Sequence, residues 1–263
     1  LVSARLSLPA VDFLFEDLEL GRPPQPFDVP SVGETMDERQ RLREATYRVL
    51  ERSGVVDAGR VNSQVEDMLV VLARAPVAIA LSGDVDGALV LARACTDGQD
   101  AVVAHQEGNA IVVRSVRPAA IIPELLSMLP DIPAGQGAEE RMPMAGSSEE
   151  PRYGQDDDEF DPMAMARVRP SRASEGSGVL RLFARPRLGF GAINAQVRKS
   201  RRGVSRWAQV CRLTWWDFDQ ENGSGPGRWY TTIDGDPPYL TLHPGDSRRI
   251  ASYLQRTLAA HLE

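Results

Sequence analysis

The chain has 263 residues, 42% hydrophobic and 25% charged, with a formal net charge of −7, the balance of a globular protein able to bury a sizeable core. No run approaches the roughly 20 apolar residues a membrane helix needs, and residues 1–8 lack the basic and long apolar regions of a signal peptide, so a cytoplasmic protein is expected. Two cysteines, Cys95 and Cys211, are too few and too far apart for a disulfide framework or a CxxC metal half-site.

In chain order, residues 3–8 read as a short strand and 9–20 as a helix, with Pro9 in its first turn, Gly21 at its stop and Val11, Leu14, Phe15 and Leu18 at helical spacing. The prolines of 22–30 each lack a donor and restrain the residue before them, which makes this stretch extended. Thr35-Met-Asp-Glu38 is a capping box opening a helix to about Ser53, whose apolar stripe is Leu42, Ala45, Val49 and Leu50. A second helix spans 62–74, with Val65, Met68, Leu69 and Leu72 facing inward. The period then changes to that of four antiparallel strands, 77–81, 88–95, 100–106 and 110–116, separated by Gly-Asp, Asp-Gly and Gly-Asn turns. Residues 118–129 return to helix.

Residues 131–160 are rich in Pro, Gly, Ser and acids, ending in Asp156-Asp-Asp-Glu159, and are expected to be a flexible linker between an N-terminal half, 1–130, and a C-terminal half, 161–263. Short helices are expected at 161–168 and 178–185. The second half restates the first. Residues 71–80 resemble 182–191, each a helix end, Ala-Arg, a proline and a strand. Four strands follow again, at 190–197, 204–218, 228–233 and 239–242, and a closing helix, 246–261, answers 118–129. Two copies of helix, four strands and helix suggest duplication. Their strands suit one antiparallel sheet carrying helices on a face or at its ends, an α+β fold.

Charge divides along the same line. Residues 1–130 hold 12 arginines and 19 acids, whereas 179–263 hold 13 basic and 7 acidic side chains, which suits either a self-complementary protein or a back half that meets an acidic partner.

Catalytic motifs are sparse. The three histidines, His105, His243 and His261, fall in no HxH or HExxH pattern. No GxSxG or phosphate loop is present, and Gly189-Phe-Gly191 begins a strand rather than a helix. Asp217-Phe-Asp219 can hold a divalent cation, with Asp234 and Asp236 near, but two such carboxylates more often bond backbone groups at a hairpin turn. The cluster Arg198-Lys-Ser-Arg-Arg202 raises single-stranded nucleic acid, which the acidic protein as a whole disfavours. No catalytic residue, metal or cofactor is expected.

All four tryptophans lie between Trp207 and Trp229, in a strand–loop–strand. Alternation puts Trp207 and Trp215 on one face and Trp216 on the other. These rings are either core or a partner-binding face. On the second reading the binding residues are Trp207, Trp215, Trp216 and Trp229, with Arg212 and Arg228 beside them.

Three stretches carry a family resemblance. They are Pro24-Gln-Pro-Phe-Asp-Val-Pro30 with Gly33-Glu-Thr35 and Glu38-Arg39; Val49-Leu-Glu-Arg-Ser-Gly-Val-Val-Asp57 with Gly59-Arg-Val61; and Asp217-Phe-Asp219 with Gly227-Arg228-Trp229. Together they resemble the EspG family, cytosolic chaperones of type VII secretion in actinobacteria. The sequence departs from the family in an expanded hairpin turn, 220–226, and an acidic linker. The resemblance implies a pseudo-two-fold fold with a central antiparallel sheet flanked by helical bundles, no catalysis, and a chaperone that holds the helical tip of a PPE-like or other helical-hairpin client soluble for export. No nucleic-acid partner is expected, and the protein is expected to be a monomer or weak dimer. The alternative is a metal-dependent enzyme using Asp217 and Asp219.

Overall fold

A computed structural model describes residues 3–143, 182–201, 204–219, 226–234 and 239–262. Among the described residues the first half forms β1 (Ser3–Ser7), α1 (Leu8–Asp17), α2 (Met36–Arg52), the two-residue strands β2 (Val56–Asp57) and β3 (Arg60–Val61), and α3 (Ser63–Arg74). The strands β4 (Val77–Val85), β5 (Ala88–Thr96), β6 (Ala101–Glu107) and β7 (Ala110–Val116) follow, then a 3-10 turn at Pro118–Ala120 leading into α4 (Ile121–Leu126). After β8 (Glu140–Pro143) come β9 (Arg187–Arg201), β10 (Val204–Asp219), β11 (Pro226–Asp234), β12 (Tyr239–Pro244) and the helix α5 (Ser247–Leu262).

Ten strands form one antiparallel sheet in the order β1-β7-β6-β5-β4-β9-β10-β11-β12-β8, while β2 and β3 pair separately. Consecutive strands are mostly neighbours, as tight turns demand. Asp86-Gly87 turns β4 into β5 with both residues at positive φ, the conformation a two-residue hairpin needs. The helix expected at 161–168 lies outside the described residues, as do the first residues of the one expected at 178–185. Of the expected linker 131–160, residues 131–143 are described. Ile132 is buried, Glu140–Pro143 pair with β12, and the rest lies outside the described residues.

The chain falls into two compact units. In the first (Leu1–Ala80, Leu91–Leu125 and Val197–Ala208), α1 and α3 pack on β1, β6 and β7. Ser7 caps α1 by accepting from the Ala10 amide at 3.3 Å, and Asn62 caps α3 through the Gln64 amide at 3.0 Å. Leu6, Val11, Leu14, Phe15, Leu69 and Ile111 meet in one apolar core, joined by the expected inner face of α3.

The helix α2 forms where the capping box places it, with Thr35 Oγ1 accepting from the Glu38 amide at 3.2 Å. Its rotation differs from the expectation. Leu42 (37% exposed), Ala45 and Val49 (59% exposed) face outward, and of the expected stripe only Leu50 is buried. The reason is electrostatic. Asp12, Glu16 and Asp17 project from α1, and Arg39 and Arg43 of α2 pair with them, one guanidinium 4.7 Å and the other 4.9 Å from the Phe13 ring centre. Tyr47 donates its hydroxyl to Asp17 on the same side. These partly shielded ion pairs and cation–π contacts outweigh burial of the three modest apolar side chains that point away.

In the second unit (Leu81–Val90, Leu126–Gln196 and Gln209–Glu263), the two faces of β10 are buried by different means. Trp216 and Phe218 pack with Leu182, Trp229 and Leu242, and Phe183 meets Trp216 and Phe218 edge-on. On the other face Trp215 lies across glycines. A Cβ on Gly83 would come within 2.8 Å of the indole, and one on Gly191 within 2.9 Å. Omitting side chains there makes a flat bed for the ring. On α5, Ile250, Leu254 and Leu258 are buried, the stripe its sequence dictates.

Candidate functional site

Asp217 and Arg228 stand directly opposite one another on β10 and β11. Neither has appreciable solvent exposure, and their side chains form a bidentate ion pair. Arg228 Nε donates to Asp217 Oδ1 at 2.7 Å and Nη2 to Oδ2 at 2.8 Å. Nη2 also donates to the Pro130 carbonyl at 3.0 Å, and Nη1 to Ser247 Oγ at 3.2 Å. The guanidinium carbon sits 5.4 Å from the Trp215 ring centre. The Arg228 backbone is equally committed: its amide donates to Pro133, and its carbonyl accepts from Gly135 and Gly245. One residue thus ties together β10, the segment after Pro130 and the start of α5.

This corrects the expectation that the Asp217 carboxylate shapes a turn. It lies within a strand, and both its oxygens are filled by a guanidinium. Asp219 is exposed at the strand end, where its amide donates to the Pro186 carbonyl at 3.1 Å. The Asp-x-Asp…Gly-Arg pattern is therefore a cross-strand lock. Its signal in the sequence is opposite charges on two strands bound to pair.

Of the six side chains expected to face a partner, four are inside. Trp215, Trp216, Arg228 and Trp229 are all buried, and the Trp229 ring is pressed against Gly135. Trp207 is half-buried at the edge of the first unit's core, with Arg198 stacked 4.6 Å over its ring, and Arg212 is half-buried on β10. The tryptophans expected on both faces of the strand thus resolve into core on both faces from Trp215 to Phe218.

Each histidine has a partner. His105 contacts Glu107 at 2.9 Å, His261 contacts the Thr257 carbonyl at 2.9 Å, and His243 lies between Glu139 (2.8 Å) and Thr232 (3.0 Å). No group of three or more His, Cys, Asp or Glu among the described residues is arranged to hold a metal ion.

The second unit carries a cavity of about 430 Å³ whose lining residues share no linear sequence pattern. Tyr230 and His243 stack at 4.8 Å to form its wall, and Arg248, Arg249 and Arg256 of α5 line its mouth. Burial pushes the Tyr230 phenol up from its ordinary pKa, while Arg256 and Arg249 act in the opposite sense. In the first unit, a cavity of about 580 Å³ is lined by α2 and by β3 near Tyr47, whose phenol is raised by burial and by its bond to Asp17.

No helix among the described residues is long and apolar enough to cross a membrane. No curated protein matches the sequence. Among solved structures, the type VII secretion system chaperone EspG5 of Mycobacterium tuberculosis, determined in complex with a PE25–PPE41 dimer, shares the fold at 16% identity. The match has a TM-score of 0.63 and covers 98% of this chain and 96% of that one. The model of the EspG family matches residues 7–256. The chain belongs to the EspG family.

Proposed function

We propose that this chain is a cytosolic specificity chaperone of type VII secretion, which covers the helical tip of a PPE-like client and directs it for export without catalysing a reaction. The observation that carries this reading is membership of the EspG family over residues 7–256, supported by a fold held in common with a chaperone solved on a PE–PPE dimer. The physical task is plain. An apolar helical tip left in water aggregates, and a rigid surface that buries it keeps the client soluble.

In this reading the duplicated halves, 1–130 and 161–263, are related by a pseudo-two-fold axis and joined by 131–160. The sheet they build is flanked by helical bundles and presents a preformed face. The buried tryptophans and the Asp217–Arg228 pair set the shape of that face, while Trp207 and Arg212 have surface left for a client. The chaperone acts as a monomer or weak dimer and needs no cofactor. Co-expression with PE/PPE-like pairs tests this. The client is expected to move from the insoluble to the soluble fraction and to co-elute with the chaperone on size exclusion. A client equally soluble without the chaperone, and eluting apart from it, contradicts the proposal.

A further inference from the structure

The cavity beside α5 holds positive charge that no ion pair among the described residues neutralises. Arg248 and Arg256 lie two helical turns apart with Ser252 between them, on one face of α5, and Arg249 stands next to the first. One arm of Arg249 donates to the Pro244 carbonyl at 2.9 Å, which fixes its guanidinium at the mouth. Among the described residues the one carboxylate in the lining is Glu139, and it is engaged by His243 Nδ1 at 2.8 Å. His243 is held in turn by Thr232 and by stacking on Tyr230, and Tyr230 leans on Tyr253 of α5 at 5.9 Å. The result is a rigid aromatic wall with three guanidiniums arrayed along it, in a chain whose overall charge is −7. The first turn of α5 adds its backbone dipole with the same sign.

Charge of this kind, at a formed wall rather than on a free loop, suits carboxylates delivered by another protein. We infer that this cavity is a specificity site of the client-binding surface, and that it takes two acidic side chains of the partner, one at Arg248 and one at Arg256. Eight residues of α-helix rise about 12 Å, so the partner that fits is a helix lying along α5 with acids seven or eight residues apart. Arg249 stiffens the mouth and shares the first carboxylate. The inference rests on the chaperone reading and narrows it, since it selects clients by the charge of one helix edge rather than by their apolar tip.

Both outer arginines are exposed, so their replacement leaves the core untouched. The test measures binding of the purified full chain to purified PE/PPE-like pairs. It compares wild type, R248E/R256E and R248K/R256K, with thermal melts to check folding. The charge reversal is expected to weaken binding at least tenfold and to reduce its dependence on salt, and the lysine variant to keep most of both. Restored binding of R248E/R256E to a client whose two edge acids are changed to lysine would fix the pairing. Wild-type binding that the reversal leaves unchanged overturns the site while the chaperone reading stands. Failure of the wild type to bind any such pair overturns both. Equal loss with the lysine variant also contradicts the site, because it points to shape rather than charge. In a separate arm, citrate at constant ionic strength is expected to leave the thermal midpoint unchanged. A rise that R248E/R256E abolishes would assign the site to a small free anion and overturn the protein-partner assignment.

Discussion

At the scale of single residues, the second unit depends on Arg228. A buried guanidinium is costly unless all its donors are met, and here each side-chain nitrogen has an acceptor: Asp217, Pro130 and Ser247. Arg228→Ala leaves the Asp217 carboxylate buried and unpaired, and urea unfolding is expected to report a loss of about 3–5 kcal/mol. Arg228→Lys keeps the charge but loses the fork, so it is expected to fall between wild type and alanine. A second residue-scale test concerns the bed under Trp215. Gly191→Ala puts a Cβ within 2.3 Å of the Ser82 carbonyl and 2.9 Å of the indole, and neither backbone nor buried ring can yield freely. A loss of about 1–3 kcal/mol is expected, with a change in tryptophan fluorescence. Nothing in one strand read alone discloses this bed, because glycine in a strand signals close approach without naming what approaches.

At the scale of elements, periodicity identified most of the secondary structure and misplaced one face. The stripe of α3 falls inside as its spacing dictates, and Ile250, Leu254 and Leu258 of α5 are buried. The capping box likewise marked the start of α2. The rotation of that helix was illegible because it is decided by α1, whose Asp12, Glu16 and Asp17 draw the arginine face inward over Phe13. A helical wheel counts apolar residues and does not see the acids of a neighbour. The consequence is measurable. Val49→Ser on the outer face is expected to change stability by less than about 0.5 kcal/mol, whereas Leu50→Ala, one residue on and buried, is expected to cost about 2–5 kcal/mol. Similar losses for both would return the stripe to the core. The β8 strand also escaped detection, because Glu140-Arg-Met-Pro143 has little strand character of its own and is held by its pairing with β12.

At the scale of the whole molecule, most of the order of elements and the antiparallel character of the sheet were legible from turn chemistry and strand periodicity. The candidate site was legible only in part. The Asp-x-Asp…Gly-Arg motif marks the right hairpin, but Asp217 pairs with Arg228 inside the sheet instead of shaping a turn. Basic charge in the second half, read as suited to an acidic partner, acquires a location at Arg248, Arg249 and Arg256. That a folded surface of this family serves a client, rather than a substrate, is the central claim. Titration calorimetry of the purified chain against purified PE/PPE-like pairs tests it most directly. Saturable binding at one chaperone per pair is the expected result; a correctly folded chain that releases and takes up no heat with every such pair would contradict it.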